Sequence, residues 1–128
     1  DIVLNMEVVE HVADVAKFLN CVSCVTKAGG LIYTATMNRT IKSYAFAIIG
    51  AEYILNWLPK GTHDWHKFLK PSEVYDYMKD SGVAIKEVQG VSFNPLLGKW
   101  HLSDDTDVNY MMLMEKLEIQ MWPTLKHC

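Results

Sequence analysis

Residues Asp1–Met37 run DIVLNMEVVE HVADVAKFLN CVSCVTKAGG LIYTATM, and the fold follows from how this stretch divides. Ile2–Leu4 is a short apolar run that suits a parallel strand buried on both faces in the middle of a sheet. From Asp14 to Thr26 the apolar residues Val15, Phe18, Leu19, Val22 and Val25 recur at helical spacing, with Asp14 placed to cap the first turn. Lys27-Ala28-Gly29-Gly30 ends that helix, because a C′ glycine takes the left-handed conformation cheaply and Lys27 suits the negative helix end. Leu31–Met37 is β-branched and aromatic, and predicts a second strand. Strand, helix, Gly-Gly and strand make a right-handed βαβ unit of a mostly parallel sheet.

In open sheets of this kind ligands bind beyond the carboxyl ends of the strands. That rule brings Asn5–His11 and Asn38–Thr40 to one rim. Glu7, Glu10 and His11 stand at i, i+3 and i+4, and on a helix they would share a face about 5–6 Å apart. If Asp14 caps the main helix, however, Glu7–Val12 is a preceding turn and the shared-face argument weakens. Two chemistries fit these residue types. One is a divalent cation on hard carboxylate oxygens, with His11 as a softer ligand. The other is a segment that opens a helix and caps its backbone donors.

Length and composition narrow the classes. The chain has 128 residues, enough for one domain, and half of them are hydrophobic. Twelve Lys and Arg against fifteen Asp and Glu give a net charge of −3, which argues against a nucleic-acid partner. Three cysteines do not suggest a disulfide framework. Cys21 and Cys24 form a C-x-x-C inside the helical pattern and read as helix packing. The chain opens on Asp1 and a strand, with no leader pattern, which suggests a piece of a longer protein.

Beyond the βαβ unit, Ile41–Leu58 is strongly apolar, flanked by Lys42 and Lys60. It falls short of the roughly 20 residues that span a bilayer. It reads either as a buried helix or lid, or as an interfacial helix touching a membrane or an apolar substrate. In the polar loop 59–64, His63 is either a general base or a residue that stabilises the loop; His66 follows it. Pro71 starts a helix with Val74, Tyr77 and Met78 on one face, and Ser81-Gly82 ends it. Val83–Val88 predicts a strand, Asn94–Gly98 a turn between Val91–Phe93 and Lys99–Leu102, and Asn109–Met114 a last strand. Residues 117–128 show no pattern.

Several of these strings together carry a resemblance. Met6–Val12, Lys27–Gly30 and Thr36–Thr40 look like the second half of a class I S-adenosylmethionine-dependent methyltransferase. Gly50–Leu55, Pro59–Asp64, Lys67–Glu73, Phe93-Asn94-Pro95 and Asp107–Tyr110 are more specific, and resemble the ubiquinone-biosynthesis O-methyltransferase family from Asp1 to about Lys116.

The resemblance implies an α/β fold: part of a doubly wound, Rossmann-like class I methyltransferase sheet, mostly parallel with an antiparallel last strand. The domain would occupy residues 1–116, with 41–58 an insertion in peripheral contact with a membrane and 117–128 an unmatched tail. The donor would be S-adenosylmethionine. The acceptor would be a phenolic hydroxyl of a polyprenylated catechol or demethylubiquinol. The match to the family implies Met6 at the methyl donor and Glu7, Glu10 and His11 around Mg2+ or another divalent metal. At the strand rim, Asn38 is a candidate contact to substrate or donor and His63 a candidate catalytic base. The family's setting implies the matrix side of the mitochondrial inner membrane, or the cytoplasmic face of a bacterial inner membrane, with a ubiquinone-synthesis complex as a candidate partner. The glycine-rich donor cradle and the ribose-binding acidic residue precede Asp1 in that family, so these 128 residues alone are expected to lack activity. The rival reading is a truncated, non-catalytic interaction protein bound to a membrane or complex.

Overall fold

The computed structural model describes residues 1–46, 64–94 and 96–118. Its elements in order are β1 (Ile2–Met6), a 3-10 turn (Val9–His11), α1 (Val15–Val25), β2 (Leu31–Met37), α2 (Ile41–Ser43), a second 3-10 turn (Trp65–Lys67), α3 (Pro71–Met78), β3 (Val83–Asn94), β4 (Lys99–Ser103) and β5 (Asn109–Lys116). The strands form one sheet in the order β1-β2-β5-β3-β4.

The βαβ unit is as the sequence predicts. Asp14 Oδ1 accepts from Lys17 N at 2.9 Å and starts α1. The helix ends differently from the expectation. Thr26 is its extended cap, and Gly29 (φ +73°) serves the turn beyond rather than C′. The turn needs glycine there because L side chains rarely adopt that φ. β1 and β2 run parallel with Ile2 opposite Leu31 and Met6 opposite Ala35.

Among the described strands only this neighbouring pair is parallel. β5 runs antiparallel to both β2 and β3 and lies between them, and β4 folds back on β3. β1, β2 and β3 therefore point one way, and the last described strand, β5, fills the middle of the sheet. The predicted strands Val83–Val88 and Val91–Phe93 merge into one twelve-residue strand, bent by a register shift between Ile85 and Glu87.

α1 and α3 cover one face of the sheet. Leu19 and Val22 of α1, and Val74 and Met78 of α3, pack on Ile32, Tyr110, Met112 and Met114. Each such side chain contributes about 1.5–3 kcal/mol through lost contact with water. Lys116 joins these layers. Its Nζ donates to Ser23 Oγ of α1 at 2.6 Å and to the Ser81 carbonyl after α3 at 2.8 Å.

The other face corrects an expectation. β1 reads as a strand buried on both faces, yet Ile2, Leu4 and Met6 are exposed, Leu4 at 68%. Val3 and Asn5 face the core; their alternating neighbours face outward. β1 is also an edge. Asp1 O accepts from Leu31 N, and Glu7 N donates to Ala35 O, so odd-numbered residues bond β2. The peptide groups of Ile2, Leu4 and Met6 then point away from β2, where no strand pairs among the described residues. An apolar run of this kind records the sequence's preference for burial, and nothing described covers that face.

Residues 47–58 of the apolar insertion, His63 and most of the 117–128 tail lie outside the described residues. The start of the insertion is described: α2 opens with a capping box between Thr40 and Ser43. Among the described residues no helix is long and apolar enough to cross a membrane.

Candidate functional site

A cavity of about 350 Å3 opens on the uncovered face, at the rim where the parallel strands end. Met6 and Glu7 line it from the end of β1, Ala35 and Met37 from β2, and Asn109, Tyr110 and Met111 from β5. Val91 of β3 and Trp100 of β4 complete the wall. Three methionines and a tryptophan around a few polar groups suit an apolar ring better than a sugar or a phosphate.

Glu7 stands at the cavity with φ +53°, a left-handed conformation unusual for any residue but glycine. The strand ends in this kink, which turns the chain into the 3-10 turn that carries Glu10. Glu10 is 3% exposed, and Thr36 Oγ1 donates to its Oε2 at 2.8 Å. Glu7 is exposed as a residue, but its carboxyl bonds the side chain of Glu10. Desolvation, then the hydrogen bond and charge of Glu10, push the Glu7 pKa up to about 7. Glu7 is thus poised to take up or release a proton at the strand rim near neutrality.

Of the three expected ligands, Glu7 and Glu10 stand together and His11 does not join them. His11 is exposed on the 3-10 turn, and among the described residues no three His, Cys, Asp or Glu side chains gather where they could hold a metal ion. The turn is 3-10 over Val9–His11 only, so the helical-face geometry does not form.

Asn38 is 8% exposed and does not line the cavity. Its Nδ2 donates to the Thr106 carbonyl at 3.0 Å, and its backbone N to Val108 O at 2.8 Å, so it ties the 104–108 loop to the end of β2. Its Oδ1 has no partner among the described residues. The same loop is held by Lys42, which pairs with Asp105 and Asp107. Tyr110 is fully buried beneath the cavity. Its hydroxyl donates to Leu69 O at 2.9 Å, and burial raises its pKa far above the usual range, so it stays neutral. Trp65 Nε1 donates to Thr40 O at 2.9 Å, and Arg39 pairs with Glu73. Cys21 is an exposed free thiol on α1, away from the cavity lining.

The sequence alone singled out Met6 and Glu7 of this cavity but not Met37, Asn109 or Trp100. The strand-rim rule would have found the first two, as the last residue of β2 and the first of β5. Trp100 is legible only from the hairpin register that sets it opposite Phe93.

No family profile matches the chain. A SAM-dependent methyltransferase from Thermotoga maritima superposes with a TM-score of 0.59 at 14% identity, over 91% of this chain and 56% of that one, which shows the fold. The ubiquinone biosynthesis O-methyltransferase of Parvibaculum lavamentivorans is 56% identical over 116 residues, 91% of this chain and 46% of the relative. The chain is a homologue of the ubiquinone biosynthesis O-methyltransferases. The Bartonella tribocorum member is 53% identical over 116 residues, and the Paramagnetospirillum magneticum member 52% over 112. The chain spans about half the length of these curated relatives. The family read from the motifs is therefore upheld, and so is the methyltransferase fold.

Proposed function

We propose that this chain forms the acceptor-binding half of an O-methyltransferase. The enzyme moves a methyl group from S-adenosylmethionine to a phenolic hydroxyl of a polyprenylated catechol or demethylubiquinol. The observation that carries this reading is the apolar strand-rim cavity with Glu7 at its edge. The relatives' name supports the pathway.

Transfer is an in-line displacement. A phenol oxygen attacks the sulfonium methyl carbon, and the carbon–sulfur bond breaks with its electron pair left on sulfur. The phenol proton must leave for the oxygen to attack. A carboxyl with a pKa of about 7 is matched to that task at neutral pH. The charge of Glu10 below helps raise the Glu7 pKa, and Thr36 fixes Glu10. Met6 and Met37 hold the ring on the apolar side while Met6 borders the donor. Positioning of the two substrates contributes much of the rate.

Two adjoining carboxylates fit a magnesium ion, which keeps several waters and needs one or two carboxylates. Glu7 and Glu10 would hold it; bound, it would lower the pKa of a catechol hydroxyl and orient the ring. His11 stays outside this pair. His63 as catalytic base remains part of the proposal, as does membrane contact through 41–58. The setting proposed for both is the matrix side of the mitochondrial inner membrane or the cytoplasmic face of a bacterial one, within or beside a ubiquinone-synthesis complex. Exposed Ile41, at 86%, and Phe46 support the membrane contact.

A chimera tests the activity. The 116 matching residues of the Parvibaculum relative are replaced by those of this chain, and transfer of labelled methyl to a short-chain prenyl catechol is measured. Transfer is expected, with Glu7→Gln about a hundredfold slower. A folded chimera that binds donor and transfers nothing overturns the proposal.

A further inference from the structure

β3 runs on past its partner β5. Val91 is the last β3 residue paired with β5, opposite Asn109, while pairing with β4 continues to Asn94 opposite Lys99. Ser92–Asn94 and Lys99–His101 therefore form a two-stranded arm, about 10 Å long, beyond the rim where the cavity opens. The register gives the arm two different faces. Phe93 lies opposite Trp100 and Val91 opposite Leu102 on one face; Ser92 lies opposite His101 on the other.

The tip is apolar and held in shape. Asn94 Oδ1 accepts from the backbone N–H groups of Leu96 at 3.0 Å and Leu97 at 3.2 Å. Gly98 closes the turn at φ +60°. Leu96 is 94% exposed and Leu97 69%. Behind them the rings of Phe93 and Trp100 pack 5.2 Å apart. Lys99 stands beside the pair, and no acidic residue occurs from Phe93 to Ser103.

We propose that this arm is a lipid-surface anchor, which inserts Leu96 and Leu97 among the acyl chains of an anionic bilayer and seats Phe93, Trp100 and Lys99 at the headgroups. Aliphatic tip, aromatic collar and flanking cation are the order in which a bilayer changes from hydrocarbon to charged surface. A hairpin two strands wide offers too little area for a stable protein interface, which takes about 800 Å2 per partner. The arm is also continuous with the cavity, because Trp100 lines it. An isoprenoid chain leaving a ring in that cavity would pass Trp100 straight into the bilayer. That last link rests on the proposed function; the anchoring does not.

Flotation of the 128-residue chain with phosphatidylethanolamine–phosphatidylglycerol vesicles tests the anchor. The parent chain is expected to float, and Leu96→Ser/Leu97→Ser to bind about tenfold less with an unchanged unfolding midpoint. Equal flotation of parent and variant overturns the proposal, as does a parent that stays unbound. A variant that lowers the chain's mass by light scattering, with no loss of flotation, would assign the arm to a second copy instead. Flotation needs no methyl donor, and the chimera's transfer to a short-chain prenyl catechol needs no vesicle, so the anchor and the methyl-transfer reading can fail separately; a parent that stays unbound would remove the 41–58 membrane contact as well.

Discussion

At the scale of the residue, the Glu7–Glu10 pair sets what the rim can do. A carboxyl whose folded pKa is about 7 against a reference of 4.5 binds its proton more tightly in the native state. Stability is then greatest at low pH on this account, falls as pH rises from about 4.5 to about 7, and levels off above. Urea unfolding at pH 5 and pH 8 should show that fall in the parent chain and a flatter profile in Glu7→Gln. Magnesium competes with the proton on Glu7, so it should raise the unfolding midpoint at pH 8 and leave it unmoved at pH 5. Equal shifts at both values would remove the pair as ligands. Beneath them, Thr36→Val takes a donor from a buried carboxylate and should cost about 1–3 kcal/mol by chemical denaturation. None of this was visible from spacing alone. Glutamates three apart suggest a helical face, whereas the pair meets because Glu7 sits at positive φ, a conformation that spacing does not reveal.

At the scale of the element, sequence and structure agree where local chemistry decides. β2 spans the predicted Leu31–Met37, Asp14 caps α1, and Pro71 opens α3 at its first turn. They part where tertiary contact decides. Lys86 and Glu87 look like the end of a strand, but pairing with β5 carries β3 through a bulge. Gly90 shows how tightly β3 is held. A Cβ there would run into the Asp105 carbonyl and come within 2.9 Å of Ser103 O, both backbone atoms. Gly90→Ala should therefore lower stability by about 3 kcal/mol and shift the 104–108 loop, readable as amide shifts at Asn38 and Thr106. Asp14→Ala should cost about 1 kcal/mol through the lost cap, measured as a lower unfolding midpoint.

At the scale of the whole molecule, helices pack one face of the sheet and no described element covers the other, and among the described residues β1 presents apolar side chains and unpaired peptide groups at its edge. Such an edge is a template for pairing with another chain. Leu4→Lys, on the open face, should reduce self-association of the 128-residue chain in light scattering without lowering its unfolding midpoint. The position of β5 has a different bearing. It is the last described strand in sequence, and among the described strands it alone joins β2 to β3. Until residues 109–116 exist, β1–β2 and β3–β4 have no backbone bonds to each other. A ribosome that has made this chain as far as residue 108 therefore holds two unjoined strand pairs. The described sheet becomes one body only when β5 slides between them, so a stop before residue 109 would leave two strand pairs without the strand that joins them.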